Sequence, residues 1–369
     1  MSKTADSIYC PFCLKRFGLD DANSADQKIQ CPACDLYLPR LYIQEGLVSP
    51  TDMVMSIGRT GNGKTTLLMS MFGTLINSPG LLATAVGTYA PPTTDETTSV
   101  TSWARQAYAA FSTRGVLPDT SPPIARPVPL YVIDPPQGDR RNLFLFDAGG
   151  EVFSDVATLA HNMPYTAQAR VLWIVVSLGR DSWETAMEER FSGLGGNLWA
   201  LLDTYVSARA EIRADLHLAP TPQALLVIFT KADNHGGRVP GIDAHLQRGA
   251  VSSPEERIAL SDFLQGWLTN ETQGGQGAVA KADAEFDLVE YCAVSATGGR
   301  VVPDKEGFRT MVRPQPKLIL DPMAWTWELT ERLNDRSSFL KRLLRRERPR
   351  AWIRAKAGRT TLPAPRSQG

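Results

Sequence analysis

Short, almost wholly apolar runs set the rhythm of this chain: residues 53–57, 143–146, 171–176, 224–229 and 289–294. Apolar runs of this length, without strict alternation, predict strands covered on both faces. Residues 129–133 add a further strand before the second run. Helical periodicity occupies the intervals, at residues 65–72, 100–111 and 181–217, the last broken near Gly193-Leu194-Gly195-Gly196. A final helix over 323–346 offers Trp325, Trp327, Leu329, Leu333, Phe339 and Leu343 for packing, and Gly- and Ala-rich residues 271–283 read as loop. Strands alternating with helices over residues 50–335 predict an α/β fold with a doubly wound, mostly parallel sheet. Residues 86–127, rich in Thr, Pro and Ser, form an enlarged loop region within it, and there is no internal repeat.

The first apolar run enters Gly58-Arg59-Thr60-Gly61-Asn62-Gly63-Lys64-Thr65, which fits the P-loop pattern G-x-x-x-x-G-K-[ST] at every fixed position. Glycines let successive backbone N–H groups turn inward around phosphate oxygens, and a helix N-terminus adds partial positive charge. Lys64 then reaches the β- and γ-phosphates, the Thr65 hydroxyl ligates Mg²⁺, and Thr66 continues the cradle. A Gly-rich turn that merely precedes a lysine is the plain alternative, and the strand–loop–helix setting argues against it. The expected ligand is a nucleoside triphosphate.

Later motifs bear on which nucleotide. The run 143–146 ends in Asp147-Ala148-Gly149-Gly150-Glu151: Asp147 can hold Mg²⁺ through water, and the Gly150 N–H can meet the γ-phosphate. The run 224–229 ends in Thr230-Lys231-Ala232-Asp233, resembling the [NT]-K-x-D element of GTPases. There the Asp carboxylate accepts from guanine N1–H and N2–H, a donor pair adenine lacks. Ser295-Ala296-Thr297 resembles the S-A-[KLT] element, whose backbone contacts guanine O6. Each later motif is weak alone, but all four occur in GTPase order. An ATP-dependent P-loop enzyme remains the rival, as does a module that holds nucleotide without turnover.

Lys64, Glu151 and Thr120 are the candidates for catalysis, with Thr120 a third Mg²⁺ ligand beside Thr65 and Asp147. The threonine that closes over Mg²⁺ is open between Thr120, just before the strand at 129–133, and the cluster Thr93, Thr94, Thr97 and Thr98. Glu151 stands where Ras-like proteins place a water-orienting glutamine. A carboxylate there adds negative charge near an anionic γ-phosphate, so slow intrinsic hydrolysis is expected.

Cysteine spacing defines a second feature. Cys10-Pro11-Phe12-Cys13 and Cys31-Pro32-Ala33-Cys34 are separated by seventeen residues, the spacing of a four-cysteine Zn²⁺ site within residues 1–45. So short a segment cannot bury a core, so metal would supply much of its folding free energy. Disulfides are the competing reading. An odd count of five cysteines, no signal peptide and a cytosolic nucleotide motif argue against them. Cys292 reads as a small buried residue.

With 39 basic and 39 acidic residues there is no global field for nucleic acid or membranes, and no apolar stretch approaches bilayer length. A cytoplasmic protein is expected. Lys341, Arg342, Arg345, Arg346, Arg348, Arg350, Arg354, Lys356 and Arg359 gather in a tail, residues 336–369. A solvated terminus is favoured there over a patch for nucleic acid or an anionic surface.

Gly58 to Thr65, Asp147 to Glu151, Thr230 to Asp233 and Ser295 to Thr297 together resemble a TRAFAC-class P-loop GTPase. The preceding zinc ribbon, the long insert at 86–127, and Val312-Arg313-Pro314 followed by Asp321-Pro322-Met323-Ala324-Trp325 resemble the bacterial double-GTPase family, type 2. That resemblance implies a GTP-hydrolysing regulatory switch in a conflict or defence system, working beside a second GTPase or GAP-like partners. It accounts for neither Glu151 nor the basic tail.

Overall fold

The computed structural model describes residues 7–10, 15–18, 29–35, 37–38, 51–78, 88–89, 127–133, 141–147, 150, 153, 155–162, 164–179, 193–298, 301–303, 309–311 and 315–337. Two small antiparallel pairs come first, β1 (Ser7–Tyr9) with β2 (Arg16–Gly18) and β3 (Ile29–Gln30) with β4 (Tyr37–Leu38). The main domain then runs β5 (Thr51–Ile57), α1 (Lys64–Asn77), β6 (Thr88–Tyr89), β7 (Pro127–Ile133), β8 (Arg141–Asp147), α2 (Val156–Asn162), β9 (Val171–Ser177) and α3 (Gly193–Asp215). It continues through β10 (Ala224–Thr230), α4 (Ile242–Leu246), α5 (Pro254–Glu271), α6 (Gly275–Glu285), β11 (Leu288–Ala293), the pair β12 (Val301–Pro303) and β13 (Arg309–Met311), and α7 (Asp321–Ser337).

Seven strands form one sheet in the order β11-β10-β9-β5-β8-β7-β6. The five from β11 to β8 are parallel; at one edge β7 joins β8 antiparallel and β6 joins β7 antiparallel. Every residue of β9 and β10 is buried, which is why both strands read as continuous apolar runs. Odd and even positions feed opposite layers. Met55, Leu172, Ile174, Val227 and Phe229 pack toward α3, α5 and α6, whereas Val54, Leu145, Trp173, Val175 and Ile228 pack toward α1 and α7. The doubly wound arrangement therefore follows from strand alternation alone.

One expectation is corrected. The stretch expected as loop at 271–283 contains helix α6: its alanines favour helix, and Ala278, Val279 and Ala282 are buried. The glycines at 193–196 begin helix α3, and the reason is packing; residues 181–192, the other side of the expected break, lie outside the described residues. A Cβ on Gly195 would overlap the backbone of Gly274 and Gly275, and one on Gly274 would lie 2.8 Å from the Gly196 nitrogen. The starts of α3 and α6 cross backbone to backbone. Helix α5 begins with a capping box, Ser253 and Glu256, and Pro254 in its first turn. The last helix among the described residues starts at Asp321, and residues 338–346 lie outside them.

Helix α7 is fastened as well as packed. The Asp321 carboxylate accepts from the Ser252 N–H at 2.8 Å and the Ser252 hydroxyl at 2.6 Å. Burial pushes that carboxyl up from 3.8 to about 6, against the opposing pull of the Ser252 hydrogen bonds and the Arg257 charge. Among the described residues, no helix is long and apolar enough to cross a membrane.

Candidate functional site

Strand β5 delivers the loop 58–63 to the C-terminal edge of the parallel strands, the usual place for ligands in open α/β sheets. Its glycines are needed for definite reasons. A Cβ on Gly58 would lie 2.6 Å from the Val175 carbonyl oxygen, and Gly61 and Gly63 adopt φ of 84° and 79°. The loop is held from β9 as well, because Asn62 Nδ2 donates to the Val175 carbonyl at 2.7 Å. Helix α1 makes its first turn with Leu67 N donating to the Gly63 carbonyl at 2.8 Å. Helix geometry provides no intrahelical acceptor for the amides of Lys64, Thr65 and Thr66, which is what suits such a turn to an anion. Lys64, only 5% exposed, folds its ammonium back to donate to the Gly58 carbonyl at 2.6 Å and the Arg59 carbonyl at 3.2 Å. Arg59 Nε donates to Asn197 Oδ1 on α3 at 2.9 Å, and Thr60 is exposed.

Three further segments converge on this loop. Gly150 lies so close that a Cβ there would overlap the backbone of Arg59 and Thr60. Asp147 closes β8 and pairs in register with Ser56, near the end of β5. Thr230 closes β10, and its hydroxyl donates to the Asn62 carbonyl at 2.6 Å, tying the strand end to the loop 58–63. Lys231 then takes a left-handed conformation, φ 53°, and starts the short turn that exposes Asp233. After β11, Ser295 is buried and its hydroxyl accepts from Gly298 N at 2.7 Å. The Ala296 carbonyl accepts from the Ser70 hydroxyl of α1 at 2.9 Å, and Thr297 Oγ1 donates to Asp233 Oδ2 at 3.0 Å. Thus 58–66, 147, 150, 230–233 and 295–297 come together at one edge of the sheet.

Thr120, Thr93, Thr94, Thr97, Thr98, Glu151 and Cys13 lie outside the described residues. The other three cysteines of the N-terminal motif gather, with Cys10, Cys31 and Cys34 sulfurs all within 4.8 Å of one another. Cys10 Sγ and Cys34 Sγ stand 3.7 Å apart, and neither is in a disulfide. Ala33 N donates to Cys31 Sγ at 3.4 Å, the kind of contact that steadies a thiolate. Cys10, Phe17 and Cys31 share an apolar cluster with Met55, Ile57, Phe146 and Phe153, so these residues pack on the main domain.

Sequence reasoning missed Asn197, Ser70 and the strap at 315–317. The strap pairs with the loop 295–297 through Ser295 N to Lys317 O at 3.0 Å, Lys317 N to Ser295 O at 2.8 Å and Gln315 N to Thr297 O at 2.8 Å. No local signal marks any of them.

A profile of the family described as Double-GTPase 2 matches residues 52–265, more than half of the chain. No curated protein matches. Among solved structures, the S. cerevisiae Ski7 GTPase-like domain bound to GDP and inorganic phosphate is 15% identical with a TM-score of 0.34, over 75% of this chain and 49% of that one. The same domain bound to GTP gives 15% and 0.36, over 75% and 50%. Bacterial selenocysteine-specific elongation factor EF-Sec gives 16% and 0.30, over 76% and 28%. The chain thus spans about half the length of the Ski7 chains and less of EF-Sec.

Proposed function

The chain belongs to the Double-GTPase 2 family, and from that premise we propose that it is a molecular switch that binds GTP and hydrolyses it slowly. It carries a GTP-binding, GTPase-like domain. The observation that supports the switch reading best is the fastening of the base side to the phosphate side. Thr230 reaches the Asn62 carbonyl at 2.6 Å, so the Thr230-Lys231-Ala232-Asp233 turn and the phosphate loop keep one separation, suited to the two ends of one nucleotide.

In this reading Gly58 to Thr66 hold the phosphates, Asp233 and Ser295 to Thr297 read guanine, and Gly150 senses the γ-phosphate. Hard oxygen donors, the Thr65 hydroxyl and the carboxylate of Asp147, suit Mg²⁺, with Thr120 joining them. The ion would spread the charge of the β- and γ-phosphates. Lys64 exchanges its backbone partners for phosphate oxygens. Water attacks the γ-phosphorus, the bond to the β-phosphate oxygen breaks, and GDP and phosphate leave. Glu151 would orient that water, and its charge beside the γ-phosphate keeps the intrinsic rate low. A GAP-like protein or a second GTPase is the partner we assign, in a bacterial conflict or defence system.

Residues 1–45 would hold Zn²⁺ through Cys10, Cys13, Cys31 and Cys34. Tetrahedral Zn–S bonds of about 2.3 Å place neighbouring sulfurs about 3.8 Å apart, and the 3.7 Å between Cys10 and Cys34 fits that donor set.

Calorimetric titration of GTP, GDP and ATP with Mg²⁺ into the wild type and Asp233→Asn tests the reading. Guanine preference that collapses in the variant is expected. Equal ATP binding in both would overturn it.

A further inference from the structure

Base selectivity in an [NT]-K-x-D site depends on how its carboxylate is aimed, and here that carboxylate stands on an exposed turn. Asp233 follows the left-handed Lys231 in a turn of three residues, Ala232–Asn234, and is itself exposed. A carboxylate in that position rotates about its side-chain bonds unless something fixes it, because terminal torsions of this kind are broad. Thr297 Oγ1 donates to Asp233 Oδ2 at 3.0 Å across 64 residues of sequence.

Thr297 is itself held in place. Its carbonyl accepts from Gln315 N at 2.8 Å, the preceding Ala296 carbonyl accepts from the Ser70 hydroxyl at 2.9 Å, and Ser295 pairs in both directions with Lys317. Gly298, immediately after it, sits at φ 62° with its would-be Cβ on the Gln315 carbonyl, so the loop has no room to shift there. Ser295 has a different task. Its side chain is fully buried and its hydroxyl accepts from Gly298 N, so it serves the loop's own shape. Within Ser295-Ala296-Thr297, the side chain that meets the carboxylate belongs to the third position.

We propose that Thr297 is a specificity-determining positioning residue: its hydroxyl fixes the plane of the Asp233 carboxylate so that both oxygens face a base carrying two adjacent N–H donors. The inference rests on the guanine reading above. An ionised carboxylate has about four lone-pair sites, so one hydrogen bond from Thr297 leaves capacity for guanine N1–H and N2–H. Hypoxanthine keeps N1–H and lacks the 2-amino group. A rotated carboxylate can still meet one donor but not two in their fixed geometry. Thr297 therefore matters more for guanine than for hypoxanthine, and its contribution grows once the bound base excludes water from Asp233.

The test is equilibrium binding of GDP, IDP and ADP with Mg²⁺ to the full chain as wild type, Thr297→Val and Thr297→Ser, with thermal unfolding to check each fold. Thr297→Val should weaken GDP about five- to tenfold and IDP by about twofold or less, the scale of one net hydrogen bond at a site that water still reaches. Thr297→Ser should restore the wild-type ratio of GDP to IDP affinity. Equal losses for GDP and IDP, or failure of serine to restore the ratio, would reduce Thr297 to a structural residue and overturn the proposal. A wild-type ratio retained in Thr297→Val overturns it while leaving the guanine reading intact. A wild type that binds ADP as well as GDP removes both together.

Discussion

Replacing Thr230 by valine tests the joint between the two halves of the site. The Thr230 hydroxyl, in a residue 4% exposed, donates to the Asn62 carbonyl at 2.6 Å. Asn62 is 2% exposed, so little water can replace the lost donor. Leaving a buried acceptor unsatisfied costs about 1–3 kcal/mol, and a value near 2 kcal/mol is expected from urea unfolding. There is a steric consequence too. A methyl group prefers about 3.3–3.6 Å from a carbonyl oxygen, so the phosphate loop must retreat by close to 1 Å. Displacements of that size cost on the order of 100-fold where geometry governs a site. Because a bound nucleotide can pull the loop back, we expect a 10- to 100-fold loss of GDP affinity, read by fluorescence titration. The ratio of GDP to IDP affinity should not change, since Asp233 and Thr297 keep their contact. Thr230→Ser, which keeps the donor, should recover most of both losses. Wild-type stability and affinity in Thr230→Val would refute the idea that this hydroxyl holds the loop.

Asp321 gives a pH-dependent prediction. Its folded carboxyl, near 6, lies above the ordinary 3.8, so its protonated form stabilises the fold and that stability is lost as pH rises from about 4 through about 6. The shift corresponds to on the order of 3 kcal/mol, so wild type should gain on Asp321→Asn by up to that amount between pH 7 and pH 4; parallel stability curves would refute this. Gly195→Ala should destabilise by about 1–3 kcal/mol through overlap with Gly274 and Gly275, and an unchanged melting temperature would show that the helix crossing yields freely. Zinc should be present at one ion per chain by metal analysis, lost in Cys31→Ser with a drop in thermal stability, and a metal-free wild type of equal stability would remove the metal reading.

What the sequence made legible was whatever is local or buried on both faces. Residues 171–176 and 224–229 were recognisable as strands because nothing polar is tolerated on either side of them. The phosphate loop was legible because its chemistry is contiguous. Helix α6 was not, because a Gly- and Ala-rich stretch resembles a linker until the partner glycines of α3, some 80 residues earlier, are brought against it. The partners of the site were hidden for the same reason. Arg59 and Asn197 are 138 residues apart, and Ser70 and Ala296 are 226 apart. Local pattern carries no information about such pairs.

The strap at 315–317 and the helix that follows it have a consequence for how the protein comes into being. Chains fold as they are synthesised, N-terminal parts first. The phosphate loop is complete at residue 66, and four of the five parallel strands exist once residue 230 has emerged. The loop at 295–297 is held in register only after Gln315 and Lys317 arrive, and Ser252 waits for Asp321. Until α7 covers Trp173, Val175 and Ile228, that face of the sheet stays open to water or to other nascent chains. On the reading proposed above, the emerging chain therefore acquires a grip on phosphate long before it acquires a choice of base, and its solubility at the ribosome hangs on the last described helix.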